Sequence, residues 1–208
     1  MSTIAPERLA ALDTITLDSG SHGTFDDGAC AMEVVAWLAG EGHTDAPQCA
    51  SSVLTLFTIR LNDQWDEATR QRLVPYLPRM VGTAGDGQDE ARSYLALDWL
   101  IRTYTPAWLD LAGLTAEATV LRDLRRIVDM ATAAEAGPVV RIGQKKAAAA
   151  GAAAEAAARA AAWTAAGAAA RAAAWDAAGE ALKPTFETLQ QSALDLLDRM
   201  IDPSAVAA

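Results

Sequence analysis

Cysteine and histidine are both scarce, with two of each among 208 residues. The amino terminus, MSTIAPERLAALDTITLDSG, shows neither a positively charged segment nor an apolar one, so no secretory signal is read there. Two cysteines in such a chain are expected to be thiols or ligands of a cytoplasmic protein rather than a disulfide. Long apolar runs are missing too. The longest uncharged stretch of the alanine-rich tract, between Arg159 and Arg171, falls short of the roughly 18 apolar residues that a transmembrane helix needs, so no membrane association is expected. Basic charge is thin at the front of the chain: residues 1–50 hold eight acidic side chains against Arg8 alone, and the formal net charge is −10. Nucleic-acid binding needs Lys and Arg to displace counterions, so direct contact with a nucleic acid is disfavoured. No GxGxxG, GxxxxGK[ST], GxSxG or HExxH is present, which removes the sequence support for nucleotide binding, serine hydrolysis and zincin chemistry.

What is present is helical punctuation. Much of the 51% apolar fraction is alanine, which buries little area, so the core must rest on Leu, Val, Ile and the aromatics. After the Asp27-Gly28 turn, ACAMEVVAWLAG places Met32, Val35 and Trp37/Leu38 near one side and ends at Gly40. Ser51 or Ser52 caps SSVLTLFTIRL, with Val53, Leu54, Phe57 and Leu61 as an apolar stripe. Asp66 starts another helix, which Pro75 and Pro78 break or kink. GTAGDGQ is a turn leading into DEARSYLALDWLIRTY, with Leu95, Trp99 and Leu100 expected inside. Thr105-Pro106 reads as an N-cap and first-turn proline, Gly113 closes that helix, and Thr115 opens the next through Leu121, Leu124 and Val128. Only TITLDS, residues 14–19, alternates like a strand, and it has no evident partner. The expected class is all-α, a compact multi-helix domain followed by a long alanine-rich helix and a shorter antiparallel return helix.

Gly137-Pro138 and the stretch to Gly143 mark a composition shift. A helical domain is therefore expected over 1–140, with a loop region at 1–28, and an alanine-rich hairpin over 141–208. Residues 156–167, AAARAAAWTAAG, recur with one change at 168–179. A 12-residue step turns an α-helix by about 120° beyond whole turns, so Trp163 and Trp175 do not stack in one stripe. Arg159 and Arg171 each precede a Trp by four residues, which permits a local cation–π contact. Alanine propensity predicts a helix from about Lys146 to Leu182, on the order of 54 Å long, with Pro184 forcing a turn before a return helix carrying Phe186, Leu189, Ala193, Leu196 and Met200. The return helix would cover half of it. Arg159, Trp163, Arg171 and Trp175 are the interface candidates for the other half, unless the repeat is a low-complexity expansion. The basic residues Arg122, Arg125, Arg126, Arg141, Lys145 and Lys146 read as a solvated face or a surface for an acidic partner.

Side chains with ligand or nucleophile character converge on 22–49. His22, Cys30, His43 and Cys49 could form a Cys₂His₂ zinc site, although H-x7-C-x12-H-x5-C lacks the paired spacing of structural zinc, and a helix would separate Cys30 from His43. Asp26 or Asp27 with Glu33 and one histidine is a second conceivable ligand set. A thiol at the start of a helix is activated by the dipole, so Cys30 with His43 or His22 as base and Asp45 as orienting carboxylate is the catalytic candidate. Asp26, Asp27 and Glu33 oppose a thiolate, and the competing expectation is that Cys30 is a small core residue beside Met32 and Trp37.

The segment DDGACAMEVVAWLAGEGHTDAPQCASSVLTLFTIRLND, with RMVGT and DWLIRTYTPAWLDLAGL and the tail over 156–179, resembles a family of uncharacterised all-helical, alanine-rich proteins of actinobacteria and their phages. The resemblance covers roughly residues 20–130 and the tail. It implies a cytoplasmic accessory role and transfers no catalytic residue. The sequence thus favours a helical interaction or assembly protein, without an assignable reaction, that meets a protein partner or itself through the alanine-rich helix. The alternative is a small cysteine- or metal-dependent enzyme using the His22–Cys49 region.

Overall fold

A computed structural model describes residues 4–164 and 168–206, without the side chains of 154, 156–164, 168–178 and 205–206. The chain is all-α, and no strand occurs among the described residues. The helices are α1 (Pro6–Ala11), α2 (Ala31–Ala39), α3 (Ser52–Gln64), α4 (Glu67–Arg70), α5 (Leu77–Met80), α6 (Asp89–Trp99), α7 (Thr105–Leu111), α8 (Thr115–Arg122), α9 (Met130–Thr164) and α10 (Ala168–Ile201). Among the described residues, no helix is long and apolar enough to cross a membrane. The chain divides into two compact units, one running to Ser93 and resuming at Leu194, the other spanning Tyr94–Ala193.

The first unit is built around α2, a nine-residue helix apolar on nearly every side. Met32, Val34, Val35 and Leu38 are fully buried, each contributing about 1.5–3 kcal/mol of transfer free energy, and α2 packs against α3 and α5. Gly40 stops it in the left-handed conformation at φ 78°, where a side chain is disfavoured. On α3 the expected apolar stripe is only partly realised. Its buried side is Leu54, Thr55, Thr58 and Asn62, three of the four polar, and Asn62 bonds to a neighbouring segment. Ser51 caps α3 by accepting the Leu54 N–H at 3.4 Å, and Asp66 caps α4 by accepting from Thr69 at 2.8 Å.

The strand-like stretch is a lone extended segment, and side-chain amides stand in for a neighbouring strand. Gln71 accepts the Leu17 N–H and donates to the Leu17 carbonyl, both at 2.9 Å. Asn62 donates to the Asp18 carbonyl at 2.8 Å and accepts from the Ala31 N–H at 3.1 Å. The backbone groups of buried Leu17 must be paired, and side-chain amides pair them without a ladder. A second polar centre is Arg92, whose side chain is wholly buried. It donates to Asp86 at 2.7 and 2.5 Å, to Asp89 at 3.0 Å and to the Met200 carbonyl at 2.9 Å, tying α6 to the end of α10.

In the second unit α7 packs on α8 and α8 on α9, around Leu109, Ala118 and Leu121. Several sequence expectations change here. Thr105-Pro106 is not a new start: α6 continues through a π-turn, Leu100–Tyr104, into α7. Pro106 has no N–H to give, and the widened turn lets the Thr105 hydroxyl donate to the Leu100 carbonyl at 2.7 Å instead. Leu95 and Trp99 are half-buried and Leu100 is exposed, so the buried position of α6 belongs to Arg92. Helix α8 ends at Arg122, leaving Val128 exposed and Ile127 buried.

The boundary expected near residue 140 falls inside a continuous helix, since α9 runs through Gly137 and Pro138. Likewise α10 runs through Pro184, where a turn was expected, so a 35-residue and a 34-residue helix replace a long helix and a short return. In both cases the residue four positions back, Ala134 or Glu180, is exposed, and the carbonyl left without a donor can face water. The proposed interface side chains Arg159, Trp163, Arg171 and Trp175 lie outside the described side chains.

Candidate functional site

The 22–49 region assembles around a residue that was not its main candidate. Glu33 sits in the first turn of α2 and is 1% exposed. Its carboxylate accepts the His22 backbone N–H at 2.7 Å, lies 2.9 Å from His22 Nδ1 and accepts the Cys30 N–H at 2.7 Å. His43 Nε2 stands 3.5 Å from the other side of the same carboxylate, but neither ring nitrogen of His43 makes a hydrogen bond. One buried carboxylate therefore lies between two imidazoles. Burial alone would push its protonation upward, but the N–H groups of His22 and Cys30 and the His22 ring outweigh it and hold the carboxyl below the ordinary glutamate value.

The local reason is helix capping. Cys30 is the N-cap of α2, with extended backbone, and Glu33 is the third helical residue reaching back to the cap N–H. That is the spacing of a capping box, with cysteine where serine or threonine is usual. The chain before it is folded over by Gly28, at φ 129°, where an added Cβ would lie 2.8 Å from the His22 ring. Only glycine lets the imidazole pass there. Above the carboxylate, Phe25 packs on Trp37 at 5.6 Å and edge-on to His43 at 5.9 Å, and the Arg8 guanidinium covers Trp37 at 5.6 Å.

The catalytic arrangement expected for Cys30 is not formed. His22 addresses Glu33, and His43, lacking any hydrogen bond, does not meet the Cys30 sulfur. The carboxylate against the imidazoles is Glu33 rather than Asp45. Burial, reinforced by the Glu33 charge, raises the Cys30 thiol to about 12, the reverse of activation. Cys49 is buried on the far side of α2, with Sγ directed at the Val35 carbonyl at 4.0 Å, and burial with the Glu41 charge also raises it to about 12. Its own carbonyl accepts the Gly82 and Ala84 N–H groups at 2.8 and 3.2 Å, so the position holds a turn.

The four metal candidates fare the same way. His22, Cys30, His43 and Cys49 do not converge, and no group of three or more His, Cys, Asp and Glu placed to hold a metal ion occurs among the described residues. The physical reason is that the Glu33 carboxylate takes up the His22 ring and the Cys30 N–H, while the Cys49 sulfur is directed at the Val35 carbonyl further along α2. Asp26 and Asp27 lie exposed in a 3₁₀ turn, Phe25–Asp27, away from the buried carboxylate. A recess of about 490 Å³ beside Ser51, Thr55 and Asp89 holds no histidine, and the Ser51 hydroxyl is engaged by Asp89.

The sequence pointed to Glu33 as a conceivable ligand and as a charge opposing a thiolate, not as the centre of the site. The signal that identifies it is C-x-x-E ahead of an apolar run. Compared with protein-family models, with curated proteins and with solved structures, the chain matches none.

Proposed function

We propose that this chain is a helical interaction and assembly protein that self-associates through its second unit. The observation supporting it is where large apolar side chains are left in water. Val120, Val128, Met130 and Ile142 are each more than half exposed and Leu100 and Phe186 nearly so, all six in residues 94–193, against Leu56 and Leu9 at comparable exposure in the first unit. Beside the small internal cluster of this unit a groove of about 190 Å³ opens between Leu100, Leu109, Leu121, Val140 and Ala147. Exposed apolar area gains about 25 cal/mol per Å² when covered, so a unit that leaves this much open is stabilised by association. The likeness to the actinobacterial and phage family, with its accessory role, belongs to the same proposal.

Sedimentation equilibrium of the full chain, beside Ile142→Glu and Met130→Glu, tests it. Association of the parent and a shift of both variants towards monomer is the expected result. A parent that stays monomeric over a hundredfold range of concentration, on the order of micromolar and above, overturns it.

A further inference from the structure

The loop that carries His22 is closed at its base and fastened at two interior points. The Asp18 N–H donates to the Ala29 carbonyl at 2.9 Å, making residues 18–29 a compact Ω-like loop. Outside the base, Gly20 N–H reaches Asp63 on α3 at 2.9 Å, and the deep anchor is His22, through backbone and ring, on Glu33 of α2. The loop seats Phe25 on Trp37 and His43, so releasing His22 uncovers that aromatic cluster.

We infer that His22, Glu33 and His43 form a proton-operated latch that fastens the 18–29 loop over the start of α2, closing it most firmly in mildly acidic solution. The inference is independent of the assembly proposal, because every residue in it belongs to the first unit.

Charge decides the direction. With both imidazoles neutral, the cluster holds one carboxylate, 1% exposed, with no cation at hydrogen-bond distance. A proton taken up by either imidazole converts that into a buried ion pair. His43 has an unused nitrogen 3.5 Å from the carboxylate ready to donate, while the second nitrogen of His22 faces Asp18 at 3.8 Å. A second proton places two imidazoliums around one carboxylate, so uptake is favoured once and opposed thereafter. The other charged groups around the cluster do not reverse this. Arg70 of α4 stands 3.9 Å from Asp18, Arg8 of α1 covers the far face of Trp37, Asp63 of α3 holds Gly20, and the Cys30 thiol is kept neutral by burial. The open loop exposes His22 to water and away from Glu33, so an imidazolium meets the buried carboxylate only when the loop is closed and, by linkage, lower pH favours the closed form. At lower pH still, protonation of Glu33, whose carboxyl is held below the ordinary glutamate value, removes the acceptor, so the latch is tightest in mildly acidic solution above that point.

Amide hydrogen exchange of the full chain, read at single residues by NMR and corrected for intrinsic rates, tests this. The reporters are the His22 and Cys30 N–H groups, both donated to Glu33. The internal reference is the Leu17 N–H, donated to the neutral Gln71. Protection of His22 is expected to rise about threefold or more from pH 8 to pH 5.5 relative to Leu17, and His43→Gln should reduce that rise. A His22 protection that does not change with pH relative to Leu17 overturns the latch. So does a rise shared equally by Leu17, which would mean a change in global stability. Both overturning results are read on the unmodified protein.

Discussion

Arg92→Met is expected to be the most damaging single substitution in the first unit. The guanidinium is wholly buried and makes four hydrogen bonds of 3.0 Å or shorter, three to Asp86 and Asp89 and one to the Met200 carbonyl. Methionine fills much of the volume and satisfies none of the acceptors. Asp86 and Asp89 are 30% and 47% exposed, so they can rehydrate, and their loss is counted at about 0.5–1 kcal/mol each rather than as a fully buried pair. The Met200 carbonyl cannot rehydrate, and an orphaned buried acceptor costs about 1–3 kcal/mol. Together these come to about 2–5 kcal/mol, before any loss in packing at the junction of α6 and α10. At a urea m-value of about 2 kcal/mol/M, that moves the unfolding midpoint down by about 1–2.5 M. Arg92→Lys should recover little, since an ammonium cannot reproduce the fork to Asp86. Urea unfolding of the three proteins by circular dichroism makes the comparison. A loss under about 1 kcal/mol for Arg92→Met, or full rescue by lysine, would show that the network is incidental to stability.

Glu33→Gln should cost about 2–4 kcal/mol at neutral pH, because the amide N–H₂ must face N–H donors on one side or the other. Since Glu33 titrates below its ordinary value, its stabilisation is complete above the unfolded glutamate range and lost as pH falls through the folded value, so the acid limb of a pH–stability curve should flatten in the variant. Thiol alkylation at pH 8 should be at least about a hundredfold slower in the folded chain than in urea for Cys30 and Cys49 alike, and one thiol reacting at the unfolded rate would contradict their burial. Gly28→Ala should lower stability by about 1–3 kcal/mol, through its positive φ and the 2.8 Å approach to His22, and should broaden or shift the His22 ring resonances in NMR. Unchanged His22 signals would mean the ring does not depend on that glycine.

Local chemistry was legible in the sequence wherever one residue and its near neighbours decide the outcome. The all-α class follows from helical punctuation, and the caps at Ser51, Asp66 and Gly40 fall where backbone N–H and C=O groups need them. The gathering of both histidines near the first long helix was also visible, as was Cys30 at its start. Tertiary structure decided what those residues face. Whether a thiol is activated or silenced depends on burial and on Glu33, and whether four ligands converge depends on what each one packs against. Prolines 138 and 184 look like breaks in sequence, yet they sit inside helices because the carbonyls they orphan reach solvent. Nothing in the sequence singles out Arg92, and only the return of α10 to place Met200 beside it makes it a buried keystone. Hydrogen bonds within one turn are written in the spacing of residues, whereas burial and long-range pairing are properties of the packed chain.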